Sequence, residues 1–202
     1  MSKSKRPTRG AIETEVWQTK ISVQFQSEAA RIDLYAASKE LLTGLFVSLG
    51  VGKSAADGYA DRVIGCRDKA ETNSDPSEAE AYKQAGLTYA PRAAPFNDAL
   101  ELSLVMGLSP AIVERMFSFV TVYSGKAQVD VIEAAPEALA ALPGVTPEAL
   151  ADVLQARASG SDGKTLIERL GPAGQTVTIE PNDATRASQR AAGSGRSGLP
   201  TD

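Results

Sequence analysis

Hard oxygen donors crowd one short segment of this chain. Asp68, Glu71, Asn73, Asp75, Glu78 and Glu80 all fall within positions 68–80, and carboxylate and amide oxygens at that density are the ligands calcium takes. Asp68, Glu71, Asp75, Glu78 and Glu80 are therefore the candidate metal ligands, with calcium as the candidate ion. The spacing is not that of an EF-hand. In a loop begun at Glu71, Pro76 stands where the sharp turn needs glycine, and Tyr82 stands where the bidentate glutamate belongs. A solvated acidic loop is the alternative reading, and both stay open on the residues alone.

Other chemistry is poorly provided for. The chain has no histidine, which removes the commonest general base, the usual triad partner and the favoured zinc ligand together. Cys66 is the single cysteine; with no partner to activate it, it reads as a small buried residue near a helix end. Gly50-Val51-Gly52-Lys53-Ser54 lacks the earlier glycine of a phosphate-binding loop and follows a helix instead of a strand. No catalytic residue is assigned. Leu142 to Leu150, LPGVTPEAL, has the look of a helix-hairpin-helix turn, echoed at 106–113. Thr146 stands at its second glycine position, Pro147 removes an amide and Glu148 adds the wrong charge for phosphate. A structural turn, with Thr146 capping a helix and Pro147 at its first position, is the better reading.

The elements that must position these groups come twice. Residues 31–45, RIDLYAASKELLTGL, and 128–142, QVDVIEAAPEALAAL, share a β-type run carrying one aspartate, a small-residue turn and an amphipathic helix. Each is followed by a Gly-Val pair, Gly50-Val51 or Gly144-Val145, and by a second helix ending at an arginine, Arg67 or Arg157. Matched units this far apart imply one body interrupted by an insertion. Asp33 and Asp130 sit just before helices, where a carboxylate accepts hydrogen bonds from free backbone amides; both are expected to be structural.

Strict alternation over 15–26 predicts a half-buried strand or hairpin, and Thr176–Glu180 repeats the pattern. Val120–Tyr123 and Val129–Ile132 flank Ser124-Gly125-Lys126, which reads as a hairpin turn. Between these lie helical patterns at 34–49, 55–67 and 95–106, with Ser109-Pro110 starting another helix. The fold class is α+β, a small antiparallel sheet with a large inserted all-helical domain. Positions 1–10 read as a disordered basic tail, 11–33 and 118–182 as the body, 34–117 as the inserted helical domain and 183–202 as a second disordered tail. At 202 residues the chain can bury a real core. A net charge of -4 gives no attraction to nucleic acid or anionic lipid. No stretch reaches the roughly 18 apolar residues of a membrane span, and the basic N-terminus lacks the apolar region of a secretory signal.

One resemblance gathers these pieces. IDLYAASKELL, ADRVIGCRD, SEAEAYKQAGLTYAPRAAPFNDALELSLVMGLSP and FVTVYSGKAQVDVIEAAPEALAALPGV, in that order, resemble the minor pseudopilin called general secretion pathway protein K, of the bacterial type II secretion system. The phrases that carry it are Asp33-Leu34, Arg67-Asp68, Glu78 to Tyr82, Pro91 to Phe96, Glu101-Leu102, Gly107-Leu108 and Val120 to Ser124, across roughly 16–157. The chain departs from the family at Cys66, where the family has tryptophan, at Gly65, where it has an acid, and at Tyr35 and Ile132, where it has asparagines. The glycine before the acidic phrase is also absent.

The resemblance implies a pilin-like body, no bond chemistry, and a place at the tip of the pseudopilus with the minor pseudopilins I and J. There it would cap or initiate the filament and support protein export. It also implies calcium at the acidic loop and residence at the periplasmic face of the inner membrane. The family begins with a basic leader, a peptidase site and a long apolar helix, none of which stands in this chain as written. A truncated chain, a misplaced start and a soluble relative are the alternatives. A soluble helix-hairpin-helix protein that binds nucleic acid is the runner-up from a different class, which the acidic charge opposes.

Overall fold

The computed structural model describes residues 9–16, 19–68, 78–180 and 184–192. The alternating stretch 15–26 holds β2 (Thr19–Ser27), which pairs antiparallel with β1 (Arg9–Val16), Ile12 opposite Val23; β1 starts before that stretch, so Arg9 and Gly10 are strand and not the expected disordered tail. Period-two alternation puts Ile12, Ile21, Val23 and Phe25 on one face. Gly10 lies opposite Phe25, and a Cβ there would sit 2.5 Å from the ring. The other edge of β2 is paired by β7 (Thr185–Ala192), again antiparallel. Composition assigns those residues to a disordered tail, and for 185–192 that is corrected. A strand edge offers backbone donors and acceptors that any sequence without proline can satisfy, so low hydrophobicity does not exclude pairing. Positions 1–8 of the expected basic tail lie outside the described residues.

Two short parallel pairs complete the β structure. β3 (Ile32–Asp33) pairs with β4 (Val120–Thr121), and β5 (Val129–Asp130) pairs with β6 (Val177–Thr178). The expected hairpin at 124–126 is therefore corrected, since β4 and β5 each find a parallel partner and do not pair with each other. All four strands are buried along their length, as parallel pairing requires. The fold is mixed α+β and mostly helical, with three small sheets among the described residues.

The helices start where caps allow. α1 (Lys39–Ser48) begins at Ser38, whose Oγ accepts the N–H of Leu41, and leads into α2 (Lys53–Arg67) and α3 (Glu78–Gln84). α4 (Pro110–Met116) has the expected serine cap and proline at the first turn. The helix expected over 95–106 is only a 3-10 turn, Ala99–Leu104, opened by Asp98 accepting the N–H of Leu100. In the second unit α5 (Pro136–Ala140), α6 (Pro147–Ala158) and α7 (Gly163–Arg169) follow. Gly50 and Gly144, the glycines of the two Gly-Val pairs, have φ of 84° and 76°, the left-handed turn that ends a helix.

One contiguous core holds the molecule together, with side chains from α1, α2, α5 and α6 in the same cluster. The two units meet at Gly44 of α1, whose Cα faces the backbone of Ala141; a Cβ there would lie 2.1 Å from the Ala141 carbonyl oxygen. Gly44 follows Asp33 by the same number of residues as Ala141 follows Asp130, so the repeats touch at equivalent positions. No helix of the described residues is long and apolar enough to cross a membrane.

Candidate functional site

The repeated aspartates organise the ends of the parallel strands. Asp33 is buried, 2% exposed, and its carboxylate is fully engaged. Oδ1 accepts the backbone N–H of Tyr35 at 2.9 Å and of Ala36 at 3.1 Å. Oδ2 accepts the N–H of Gly125 at 2.8 Å and the hydroxyl of Ser124 at 3.1 Å. The turn that follows is held from the other side by Arg67, at the end of α2, whose Nη1 donates to the carbonyls of Leu34 and Ala37 at 2.7 and 2.8 Å. An aspartate thus satisfies the free amides of the turn and an arginine satisfies its carbonyls, which is the requirement for a buried chain reversal.

The second unit repeats this arrangement almost group for group. Asp130 is equally buried, and its Oδ1 accepts the N–H of Ile132 at 2.8 Å and of Glu133 at 3.3 Å. Arg157, from α6, donates through Nη1 to the carbonyls of Ala134 at 2.6 Å and Ile132 at 3.3 Å. Burial raises the Asp130 pKa, against the pull of its two amide donors. Nothing among the described residues plays the part of Ser124 and Gly125 at Oδ2. The sequence pointed to both aspartates and both arginines through the repetition; Ser124 and Gly125, read there as a hairpin turn, were missed as the cap of Asp33.

The acidic segment is only partly described. Glu78, in the first turn of α3, meets Arg62 of α2 at 3.2 Å, and Asp68 lies 3.4 Å from Arg67. Glu80 shares the first turn of α3, while Glu71 and Asp75 lie outside the described residues. Among the described residues no three acidic or cysteine side chains converge on one point. A calcium ion that recruited Glu78 would compete with the Arg62 guanidinium for its carboxylate.

Tyr82 ties α3 to the loop beyond it. Its buried hydroxyl donates to the carbonyl of Leu104 at 3.1 Å, accepts the N–H of Met106 at 2.8 Å and lies 3.1 Å from Cys66 Sγ. Burial raises both the Tyr82 hydroxyl and the Cys66 thiol, so the cysteine is a poor nucleophile. Arg92 pairs with Glu101 at 3.0 Å, joining two phrases on which the resemblance rests. A groove of about 650 Å³ opens between the 3-10 turn and β4, with Leu100 and Tyr123 exposed at its rim. The turn at 142–150 is structural: Thr146 Oγ1 accepts the N–H of Ala149 at 3.2 Å, and Pro147 opens α6.

Comparison with known proteins agrees with this geometry. The family model for type II secretion system protein K matches residues 24–125, just over half of the chain. No curated protein matches. A chain in the crystal structure of the GspK–GspI–GspJ complex of the enterotoxigenic Escherichia coli type 2 secretion system aligns with a TM-score of 0.66 at 15% identity. That alignment covers 91% of this chain and 73% of that chain, a likeness of fold. The matched region and the fold define a pseudopilin of the type II secretion machinery. The chain belongs to the protein K family of that system.

Proposed function

We propose that this protein is a non-enzymatic minor pseudopilin that caps or initiates the type II secretion pseudopilus and supports protein export. Its partners in this reading are the minor pseudopilins I and J, at the periplasmic face of the inner membrane. The match of residues 24–125 to the protein K family carries the proposal, and the likeness to a chain of a complex of three such proteins supports it. In the pilin-like arrangement, 11–33 and 118–182 form the body and 34–117 the bulky insertion. The apolar face of the β1–β2 sheet, where Ile12 is 60% exposed, suits contact with a neighbouring subunit.

Co-purification with pseudopilins I and J from the same source tests the assignment. A stable ternary complex is expected, together with no salt-dependent shift of DNA or RNA. A monomer indifferent to both pseudopilins overturns it. Calcium is proposed at the acidic segment on the resemblance, and melting with and without chelator decides that separately. A ligand bound only by the folded state at a hundredfold excess over Kd adds about 2.7 kcal/mol, and Glu78→Ala should remove that gain. Equal melting assigns Glu78 to its ion pair with Arg62.

A further inference from the structure

The three-stranded sheet stands apart from the core and is open at one edge. Its order is β1-β2-β7, so among the described residues the outer side of β1 pairs with no strand, and Ala11, Ile12, Glu13, Thr14 and Glu15 are all exposed. Ile12, Ile21, Val23 and Phe25 belong neither to the core cluster nor to the residues packed against it. A long edge is a template for another strand unless proline, lysine, a bulge or a covering element blunts it. β1 carries no proline and no lysine, and it pairs residue for residue with β2 along its whole length, without a bulge.

The direction of the free backbone groups follows from the pairing on the far side of β2. The N–H of Glu28 donates to the carbonyl of Ala184 at 3.0 Å, one step beyond the Ser27–Thr185 pair. Hydrogen bonding alternates along an antiparallel ladder, so even-numbered residues of β2 turn their backbone toward β7 and odd-numbered ones toward β1. Those odd-numbered residues lie opposite Gly10, Ile12, Thr14 and Val16. The N–H and C=O groups of Arg9, Ala11, Glu13 and Glu15 therefore point outward, away from β2. The side chains of these four share one face of the sheet, and Ile12 stands on the other beside Val23.

We infer that β1 pairs with β1 of a second copy of this chain, antiparallel about a two-fold axis at Ile12, joining the two sheets into one. The strand is self-complementary in that register. Arg9 falls opposite Glu15 of the second copy and Glu15 opposite its Arg9, Ala11 meets Glu13, and Ile12 meets Ile12. The four residues with outward backbone groups thus face one another, and the Ile12 pair is the closer, non-hydrogen-bonded kind, which carries the apolar row from Val23 across the axis. Glu15 already has Lys20 opposite it on β2, so an arginine on its other side completes a row of alternating charge. The Arg9 side chain is 77% exposed, with Glu133 3.6 Å away, and is placed to reach across the edge. Other registers are worse. Sliding two residues one way sets Glu13 against Glu13, sliding two the other way loses the Glu15 pair and sets Ile12 against Gly10, and parallel in-register pairing puts every charge opposite its like. The inference concerns the chain alone and does not rest on the proposed function.

Sedimentation equilibrium of the full chain at low salt, where exposed ion pairs are least screened, reads its mass against the 21.1 kDa of one copy. Wild type should approach twice that mass as concentration rises. Arg9→Glu sets glutamate opposite the partner's Glu15, and Glu15→Arg sets arginine opposite the partner's Arg9, so each variant alone should weaken the dimer at least about tenfold. An equimolar mixture of the two should restore wild-type association, because both cross-strand pairs are then opposite in charge. Ala11→Pro removes an N–H that the β1–β2 ladder does not use and should give a monomer with unchanged melting. If that variant does not fold, the mixture of the two charge variants decides. Weakened single variants whose mixture dimerises support the pairing. A wild-type monomer up to about 1 mM, the weak end of measurable association, overturns it. So does a dimer indifferent to all three substitutions, a mass above two copies, or a mixture of the charge variants that stays monomeric. Each of these results leaves the proposed function standing.

Discussion

Each repeated aspartate can be valued by counting what its oxygens hold. Asp130 accepts two backbone N–H groups, the work of a helix cap, so Asp130→Ala should cost about 1 to 2 kcal/mol. Asp33 accepts those and two more from Ser124 and Gly125. Hydrogen bonds to charged groups are worth roughly 1.5 to 3 kcal/mol, so Asp33→Ala should cost more than Asp130→Ala by about that amount. Urea unfolding midpoints at neutral pH give both values; equal losses would show that the Ser124 loop adds nothing. Acidity separates the same residues further. Burial raises the Asp130 pKa, so the folded chain holds that proton more tightly than the unfolded chain does. Stability from this group is then fully present below the ordinary aspartate pKa of about 3.9 and is lost as pH rises through the raised folded value. Asp130→Asn has no such loss, and its stability relative to wild type should improve from pH 3.5 to pH 7, read as the difference in urea midpoints.

At the scale of elements, α1 and α5 approach so closely that only glycine fits. A Cβ on Gly44 would lie 2.1 Å from the Ala141 carbonyl oxygen and 2.9 Å from its Cα, and backbone cannot step aside as a flexible side chain does. Gly44→Ala should destabilise by about 1 to 3 kcal/mol, the range for overpacking. Gly58, inside α2 with nothing within 4 Å, is the control. There alanine should add about 0.5 to 1 kcal/mol, because glycine is the poorer helix residue. Opposite shifts in melting temperature are expected, and a neutral Gly44→Ala would mean that the two helices separate readily. The repeated phrase revealed that two equivalent units exist, with their glycine turns and terminal arginines. It did not reveal that they pack on each other, because contact between distant helices leaves no trace in the periodicity of either. The strand partners were hidden for the same reason. β4 and β5 are neighbours in sequence with a glycine between them, yet each is a buried strand that pairs in parallel with a distant segment.

For the whole molecule, one continuous core crosses the boundary between the helical insertion and the rest. Residues 34–117 begin and end beside paired strands, β3 and β4, but α1 rests on α5 outside them. The insertion is a feature of topology, and the core should melt as one unit. Calorimetric and van't Hoff enthalpies should agree, and a fragment of residues 34–119 should not fold, since it loses the α5 surface. Two separate transitions, or a folded fragment, would make the helical stretch an independent domain.

The sequence by itself determined what short-range chemistry can write. Alternation over 15–26 marked β2, Ser109 and Thr146 marked helix starts, and the ordered phrases from Asp33 to Ser124 marked the family. Tertiary structure alone decided what completes each buried polar group. Ser124 and Gly125 cap an aspartate about 90 residues away, Tyr82 bridges Cys66 and the backbone at Leu104 and Met106, and β7 forms from a composition that predicts no structure. Local propensity is set by neighbours along the chain, whereas a buried donor or acceptor takes whatever partner packing brings to it.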